Sequence, residues 1–467
     1  MNRVTKPPGD PTPLKPNDLV LWFEEACNEG HQLIGTEHEK FGLVRDAETG
    51  TLEPLDYARH VQPMLADLQT EFGWAVGADR GTGGEVVALT RNNASVTLEP
   101  GGQLELSGAP FGSVHETCEE FATHRAELDR VAATHGVTLI AAGVHPFATR
   151  DEINWMPKGR YAVMREYLPT RGALALDMMT RTATVQANFD YRNEADCGRR
   201  LRLAASLTPA LVAMFANSPF REGRFDGTRS RRSAVWESVD PDRCGMVEVL
   251  FDEAFSFHKY ALWALEIPMF FVRRDGRYLP YHAPFSEFIE RGFELDDGTV
   301  TWPTEADWRL HLNTLFPEAR LNPFIEVRTP DSVAHEMICA LPAFTKGLLY
   351  DDDALEEALN LLAGSSLDAR IAHWREARTV GLSSDTIHAQ CAALLDIATR
   401  GLDRIATRDA LEVPETGFLA PLREIVTRRA SPADVAIEAL GASPGRSREG
   451  RDALAAHYFY AGAPAVR

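Results

Sequence analysis

Gly35-Thr36-Glu37-His38-Glu39-Lys40-Phe41-Gly42 sets the pattern that decides the fold, and three later stretches repeat it. They are Leu98-Glu99-Pro100-Gly101-Gly102-Gln103-Leu104-Glu105-Leu106, Thr184-Val185-Gln186-Ala187-Asn188-Phe189 and Phe324-Ile325-Glu326-Val327-Arg328. Each places carboxylates or amides on alternate residues of a predicted β-strand, and residues i and i+2 of a strand share one face. Glu37 and Glu39 therefore point the same way, as do Gln103 and Glu105, Gln186 and Asn188, and Glu326 and Arg328. In the last three stretches the intervening residues are apolar and suit a core. If the four strands share one sheet, its polar face gathers Glu37, Glu39, Glu99, Glu105 and Glu326 around Arg328. Like charges so crowded repel unless cations sit among them. The pattern predicts a site for divalent metals and a polyanion.

A solvated face is the ordinary explanation for glutamates on a half-exposed antiparallel sheet. Two details argue against it for the set. The glutamates are not interleaved with lysines, as a solvated face favours. Glu99-Pro100-Gly101-Gly102 also breaks a strand in a way that re-aims Glu99 and Glu105, as bulges beside sites do.

Composition narrows the class. A chain of 467 residues with 44% hydrophobic and 25% charged residues is that of a globular protein. Lys+Arg 48 against Asp+Glu 68 gives a net charge of -20, which argues against nonspecific binding to nucleic acid or anionic lipid. The most apolar stretch, Leu203 to Ala216, is interrupted by Ser206, Thr208 and Pro209, so no membrane span is expected. Residues 1–16 lack an apolar signal core and read as a flexible tail, which makes the cytoplasm the expected compartment. Cys27, Cys118, Cys197, Cys244, Cys339 and Cys391 have no metal-ligand spacing. His335-Glu336 lacks the second histidine of a metalloprotease helix, and Gly77 to Gly84 reads as a loop. Hard oxygen donors without sulfur or imidazole point to magnesium, with manganese as its substitute.

The spacing of apolar residues predicts helices over 17–30, Phe121 to His135, Tyr161 to Leu168 and Leu201 to Asn217, the last stopped by Ser218-Pro219. Strands are expected over Val137 to Val144 and Glu266 to Val272, and the pattern beyond Leu341 is helical. The carboxylate strands are spread between helices, so one α+β body over 17–345 with a helical region over 346–467 packed on it fits better than independent domains.

The longer strings resemble the plant and proteobacterial type of glutamate–cysteine ligase. Beside Gly35 to Gly42, they are Leu98 to Pro110, Met156-Pro157-Lys158-Gly159-Arg160-Tyr161, Leu176 to Asn188, Phe215 to Phe220 and Cys339 to Phe344. The resemblance implies a glutamine-synthetase-like fold, in which a curved antiparallel sheet binds ATP and two or three magnesium ions on its concave polar face. It implies ATP-dependent γ-glutamyl peptide bond formation between glutamate and cysteine, the first step of glutathione synthesis. Position by position, it assigns Glu37, Glu39, Glu99, Glu105, Gln186 and Glu326 as metal ligands. Arg232 falls beside the glutamate and γ-phosphate and, with Glu39 and Glu105, in the catalytic set. Tyr260 and Arg328 fall in the substrate pocket, with Arg328 on the acceptor carboxylate, and Lys158 and Arg160 fall near the nucleotide. Cys118 and Cys339 occupy both positions of one regulatory disulfide of the plant enzymes, while Tyr281 replaces a cysteine of the other. The expected assembly is a monomer or a homodimer, a choice the sequence leaves open. Thr329-Pro330, Thr345 and Ala183 depart from the plant pattern near the acceptor, so a different amine acceptor is the first alternative. A non-catalytic metal- and nucleotide-binding relative is the alternative from another class.

Overall fold

In the computed structural model, residues 14–15, 18–30 and 32–460 are described, so the expected tail lies outside them except for Leu14 and Lys15. The strands of the main sheet are β1 (Ile34–Arg45), β2 (Leu52–Pro54), β3 (Ala75–Val76), β4 (Ala88–Arg91), β5 (Ala94–Leu98), β6 (Leu104–Ser107), β7 (Val137–Ile140), β8 (Val185–Phe189), β9 (Ala319–Leu321) and β10 (Ile325–Val327). They run in the order β9-β10-β8-β1-β6-β5-β4-β3, with β2 and β7 paired to the far half of β1. Every pairing is antiparallel. The four motif-bearing stretches therefore meet in one sheet, as the alternation requires.

One face of that sheet is core. Leu104, Leu106, Val185, Ala187, Phe189, Ile325 and Val327 are all buried. Helix Ala340–Leu349, every residue of which is buried, packs against β8 and β1. On β1 this same face carries Thr36, His38 and Lys40, polar but buried. His38 Nε2 lies 2.8 Å from the Val333 carbonyl oxygen. Burial pushes the Lys40 ammonium down to about 7, and its Nζ stands 5.3 Å from the centre of the Tyr460 ring.

Local sequence explains where the elements differ from expectation. The helix expected from Phe121 begins at Val114, because Ser113 and Glu116 form a capping box ahead of it. The single helix expected over Leu201 to Asn217 is two, Glu194–Ser206 and Thr208–Phe215. Pro209 lacks the N–H that a continuous helix needs and sits in the first turn of the second. The strand from Val137 ends at Ile140, and that expected over Glu266 to Val272 begins at Phe271 and forms a hairpin with Arg277–Pro280. The boundary expected at 345/346 falls inside helix Ala340–Leu349, and helix Asp385–Arg408 packs directly on it. No helix among the described residues is long and apolar enough to cross a membrane.

Candidate active site

Register builds the polar face. Glu39 of β1 stands opposite Glu105 of β6, Glu37 opposite Gln186 of β8, and Asn188 opposite Glu326 of β10. The β5–β6 hairpin supplies Glu99 at its tip, closed by Gly102 N–H donating to the Glu99 carbonyl at 2.9 Å and Glu99 N–H donating to the Gln103 carbonyl at 2.9 Å. The expected break within a strand is thus a tight turn between two strands. Gly102 adopts φ +84°, and Gly101 approaches so closely that a Cβ would lie 2.2 Å from the Thr180 carbonyl oxygen. Gln103 locks this contact by donating from Nε2 to the Thr182 carbonyl at 2.7 Å.

A cavity of about 320 Å³ opens over this face, lined by Glu37, Glu39, Glu99, Glu105, Gln186 and Glu326 together with Arg160, Arg232, Arg320 and Arg328. Burial pushes the Glu37 carboxyl well above the usual range, and repulsion from Glu105 and Glu326 adds to the shift. Glu39 is raised by burial and by Glu99 and Glu105, and Glu99 by burial and Glu105. The carboxylates draw on neutral donors: Asn188 Nδ2 donates to Glu37 at 2.7 Å, Thr97 Oγ1 to Glu105 at 2.6 Å and Thr184 N–H to Glu39 at 3.1 Å. The amide oxygens Gln186 Oε1 and Asn188 Oδ1 are buried without a hydrogen-bond partner. Clustered carboxylates with raised pKa values and unpartnered amide oxygens fit hard divalent cations. Among the described residues, no three acidic, thiol or imidazole groups form a closed cage. The donors are spread over the cavity floor.

Arginines line the same cavity. Ser230 caps helix Arg231–Glu237 and so sets Arg232 in its first turn. Arg232 donates to the carbonyls of Thr329 at 2.8 Å and Arg328 at 3.0 Å. Asp331 anchors the assembly, accepting from Asn217 N–H at 2.8 Å, Ser218 Oγ at 2.6 Å and Ser230 Oγ at 2.8 Å. Arg328 lies over both Trp236 and Phe316, 5.1 and 5.3 Å from the ring centres, with Nη1 3.3 Å from Glu326.

Not every expected residue joins this group. Tyr260 lies on helix Phe257–Leu265, fully buried among Phe23, Phe255 and Trp263, and its hydroxyl accepts from Leu321 N–H at 3.2 Å behind β9. Its assignment to the substrate pocket is corrected, because the hydrophobic face of that helix turns it into the core. Lys158 is buried beside the cavity, its Nζ 3.8 Å from Asp79, while Arg160 lines the cavity itself. Cys118 and Cys339 are joined, with Cα atoms 6.0 Å apart, and tie helix Val114–Thr134 to the start of helix Ala340–Leu349. Arg320, Trp236 and Phe316 escaped the sequence reading. Arg320 holds Glu326 at 2.6 Å from the neighbouring strand, and the signal was there: Asn322-Pro323 makes a turn that sets residues 320 and 326 opposite each other.

A family model described as glutamate-cysteine ligase family 2 (GCS2) matches residues 33–455. The chloroplastic glutamate–cysteine ligase of Brassica juncea is 38% identical over 441 residues, covering 93% of this chain and 83% of the relative. That of Arabidopsis thaliana is 37% identical, covering 93% and 81%. A crystal structure of glutamate–cysteine ligase from Francisella tularensis in complex with AMP matches with a TM-score of 0.54 at 13% identity, covering 94% of this chain and 91% of that one, a likeness of fold. The cytoplasmic compartment expected above is corrected here: the relatives found are named as chloroplastic enzymes.

Proposed function

We infer the reaction from the fact that this chain belongs to the glutamate–cysteine ligase family. It is an ATP-dependent carboxylate–amine ligase, joining the γ-carboxylate of glutamate to the amine of cysteine. A carboxylate is a poor electrophile, so a γ-oxygen first attacks the terminal phosphorus of ATP. The new P–O bond forms as the bond to the bridging oxygen breaks, leaving γ-glutamyl phosphate and ADP. The acceptor amine then attacks the acyl carbon; a C–N bond forms, the C–O bond to phosphate breaks, and the amine loses a proton.

The observation that carries this reading is the register that sets Glu37, Glu39, Glu105, Gln186 and Glu326 on one cavity floor against Arg232 and Arg328. Glu37, Glu39, Glu99, Glu105, Gln186 and Glu326 would hold two or three divalent cations. A magnesium or manganese ion held there would neutralise charge on the triphosphate and orient it for in-line transfer. Arg232, buried and with Nε unpartnered, stabilises charge on the transferring phosphoryl group. Arg328, stacked on Trp236 and Phe316, presents a planar fork to the acceptor carboxylate. Arg160 and Lys158 add positive charge near Glu99, on the side where the nucleotide would enter. Thr329-Pro330 stiffens the turn after Arg328, which supports a second reading in which the acceptor is another amino acid.

The test is phosphate release from Mg-ATP with glutamate and a panel of amino acids, products identified by mass. Release that requires glutamate, a divalent cation and cysteine together supports the reading. Undiminished turnover in chelator, or without an acceptor, overturns it.

A further inference from the structure

Arg232 and Arg328 are built as one unit. Arg232 turns two of its donors to the main chain: Nη1 donates to the Thr329 carbonyl at 2.8 Å and Nη2 to the Arg328 carbonyl at 3.0 Å. Both guanidinium groups also lie over the Trp236 ring, Arg232 at 5.6 Å and Arg328 at 5.1 Å from its centre. The arginine assigned to the phosphoryl group therefore grips the peptide that carries the arginine assigned to the acceptor. Arg328 Nη1 approaches Glu326 at 3.3 Å but makes no hydrogen bond among the described residues. Its fork is aimed by the backbone at 328–329 and by the rings of Trp236 and Phe316.

That backbone is held from outside the cavity. Thr184 Oγ1 donates to the Pro330 carbonyl at 2.7 Å. β9 and β10 pair antiparallel with Ala319 opposite Val327, so Glu318, just before β9, comes beside the chain as it leaves β10. There Thr329 Oγ1 donates to Glu318 Oε2 at 3.1 Å, with Thr208 Oγ1 3.5 Å from the same hydroxyl. Thr329 and Glu318 are buried, and neither lines the catalytic cavity. A hydroxyl bonded to a buried carboxylate is a charge-assisted link. Breaking it strips the carboxylate of a donor where water cannot take its place, so the link resists distortion.

We propose that Thr329 is a positioning residue for the ligation: its hydroxyl, pinned to Glu318, sets the aim of Arg328 and Arg232 together. The proposal rests on the ligase reading and adds to it a residue that touches no substrate. The Thr329 side chain fixes the peptide, the Arg328 and Thr329 carbonyls fix Arg232, and the Arg328 Cα fixes where its fork begins. Release of the hydroxyl therefore loosens the acceptor end and the phosphoryl end at once. The carboxylates on the cavity floor stand on other strands and keep their places. The role belongs to the hydroxyl and not to bulk. Valine has nearly the same shape and cannot donate, whereas serine is smaller and can.

The experiment compares the full chain with Thr329→Val and Thr329→Ser in phosphate release from Mg-ATP with glutamate and cysteine. Thr329→Val should raise the KM for cysteine about tenfold, as loss of a hydrogen bond to a charged group does, and lower kcat as well. The KM for Mg-ATP should stay within about twofold, and Thr329→Ser should stay within about twofold of wild type throughout. Glu318→Gln, which keeps size and weakens the acceptor of the bond, should show the same split to a smaller degree, and carries the test if Thr329→Val does not fold. The double variant should be no worse than Thr329→Val alone, because both changes cut one link. An unchanged KM for cysteine in Thr329→Val and Glu318→Gln, an equal loss in Thr329→Ser, or a rise in the KM for Mg-ATP as large as that for cysteine would each overturn the proposal. Wild type in the same assay separates the two readings. Absence of glutamate- and cysteine-dependent release there ends both, whereas an active wild type with an unaltered Thr329→Val ends this proposal alone.

Discussion

Glu39 and Glu105 stand directly opposite each other on β1 and β6, Glu105 two residues beyond the Gln103 that closes the Glu99 turn. Burial and the charges of Glu99 and Glu105 both work against ionisation of Glu39. Such a pair costs folding energy and is retained where the charge is used, so activity and stability should respond in opposite directions when it is relieved.

Glu39→Gln and Glu105→Gln, made separately, are expected to lower kcat by about a hundredfold or more while leaving Tm level or higher, since each keeps the shape and removes a repelling charge. Steady-state kinetics and thermal melts of both variants check this. Near-wild-type turnover in both would mean that the sheet face is merely solvated.

Arg328→Lys should raise the KM for the acceptor by roughly ten- to a hundredfold, because lysine keeps the charge and loses the fork and the stacking on Trp236 and Phe316. The KM for ATP should move far less. An unchanged acceptor KM removes Arg328 from the acceptor site.

Gly101→Ala places a methyl group 2.2 Å from the Thr180 carbonyl oxygen, backbone against backbone, and must displace the hairpin that carries Glu99. A loss of about 1–3 kcal/mol in urea unfolding, together with loss of turnover, is expected. Gly417→Ala, where nothing lies within 4 Å, serves as the control and should change neither.

His311 is buried between Phe285 and Trp308, Nε2 2.8 Å from the Ala264 carbonyl oxygen, and burial pushes its pKa down to about 3. Its folded pKa lies below the unfolded value, so the unfolded chain binds the extra proton. The stability tied to this group is present above about pH 6.5 and is lost as pH falls toward 3, at about 1.4 kcal/mol per pH unit. Urea midpoints between pH 7 and pH 4 should fall less steeply in His311→Gln than in the wild type; equal slopes would refute the assignment.

Cys339→Ser should lower the stability of oxidised protein by about 2–4 kcal/mol, since the Cys118–Cys339 link closes a loop of sequence separation 221. Wild type treated with a strong reductant should then match the variant. Equal stability of oxidised wild type and Cys339→Ser would show that the thiols are free in solution.

The polar face was legible because a strand repeats every two residues: Gln186 and Asn188, or Glu37 and Glu39, declare a common face without any knowledge of neighbours. Their adjacency was not, since strand order depends on how the chain packs between them. Arg320 was within reach through the Asn322-Pro323 turn, yet its strand, Ala319–Leu321, is too short to show a period. Tyr260 failed for a different reason. A helix flanked by Phe257 and Trp263 has aromatic residues on more than one side, and a tyrosine on it reads equally as pocket lining or core. The break before Pro209 was not legible because the end of the first helix, Leu203 to Ala205, and the second helix, Thr208–Phe215, read as one largely apolar run.

The order of strands in the sheet also sets a timetable. β10 is the last catalytic strand to be synthesised and pairs with β8, while β8 pairs with the opening strand β1, so the pocket closes only after residue 328 has emerged. A nascent chain carries Glu37, Glu39, Glu99 and Glu105 well before Glu326 and Arg328 are added to complete the cavity. Because that pairing joins strands far apart in the chain, the complete cavity belongs to the late contacts of folding.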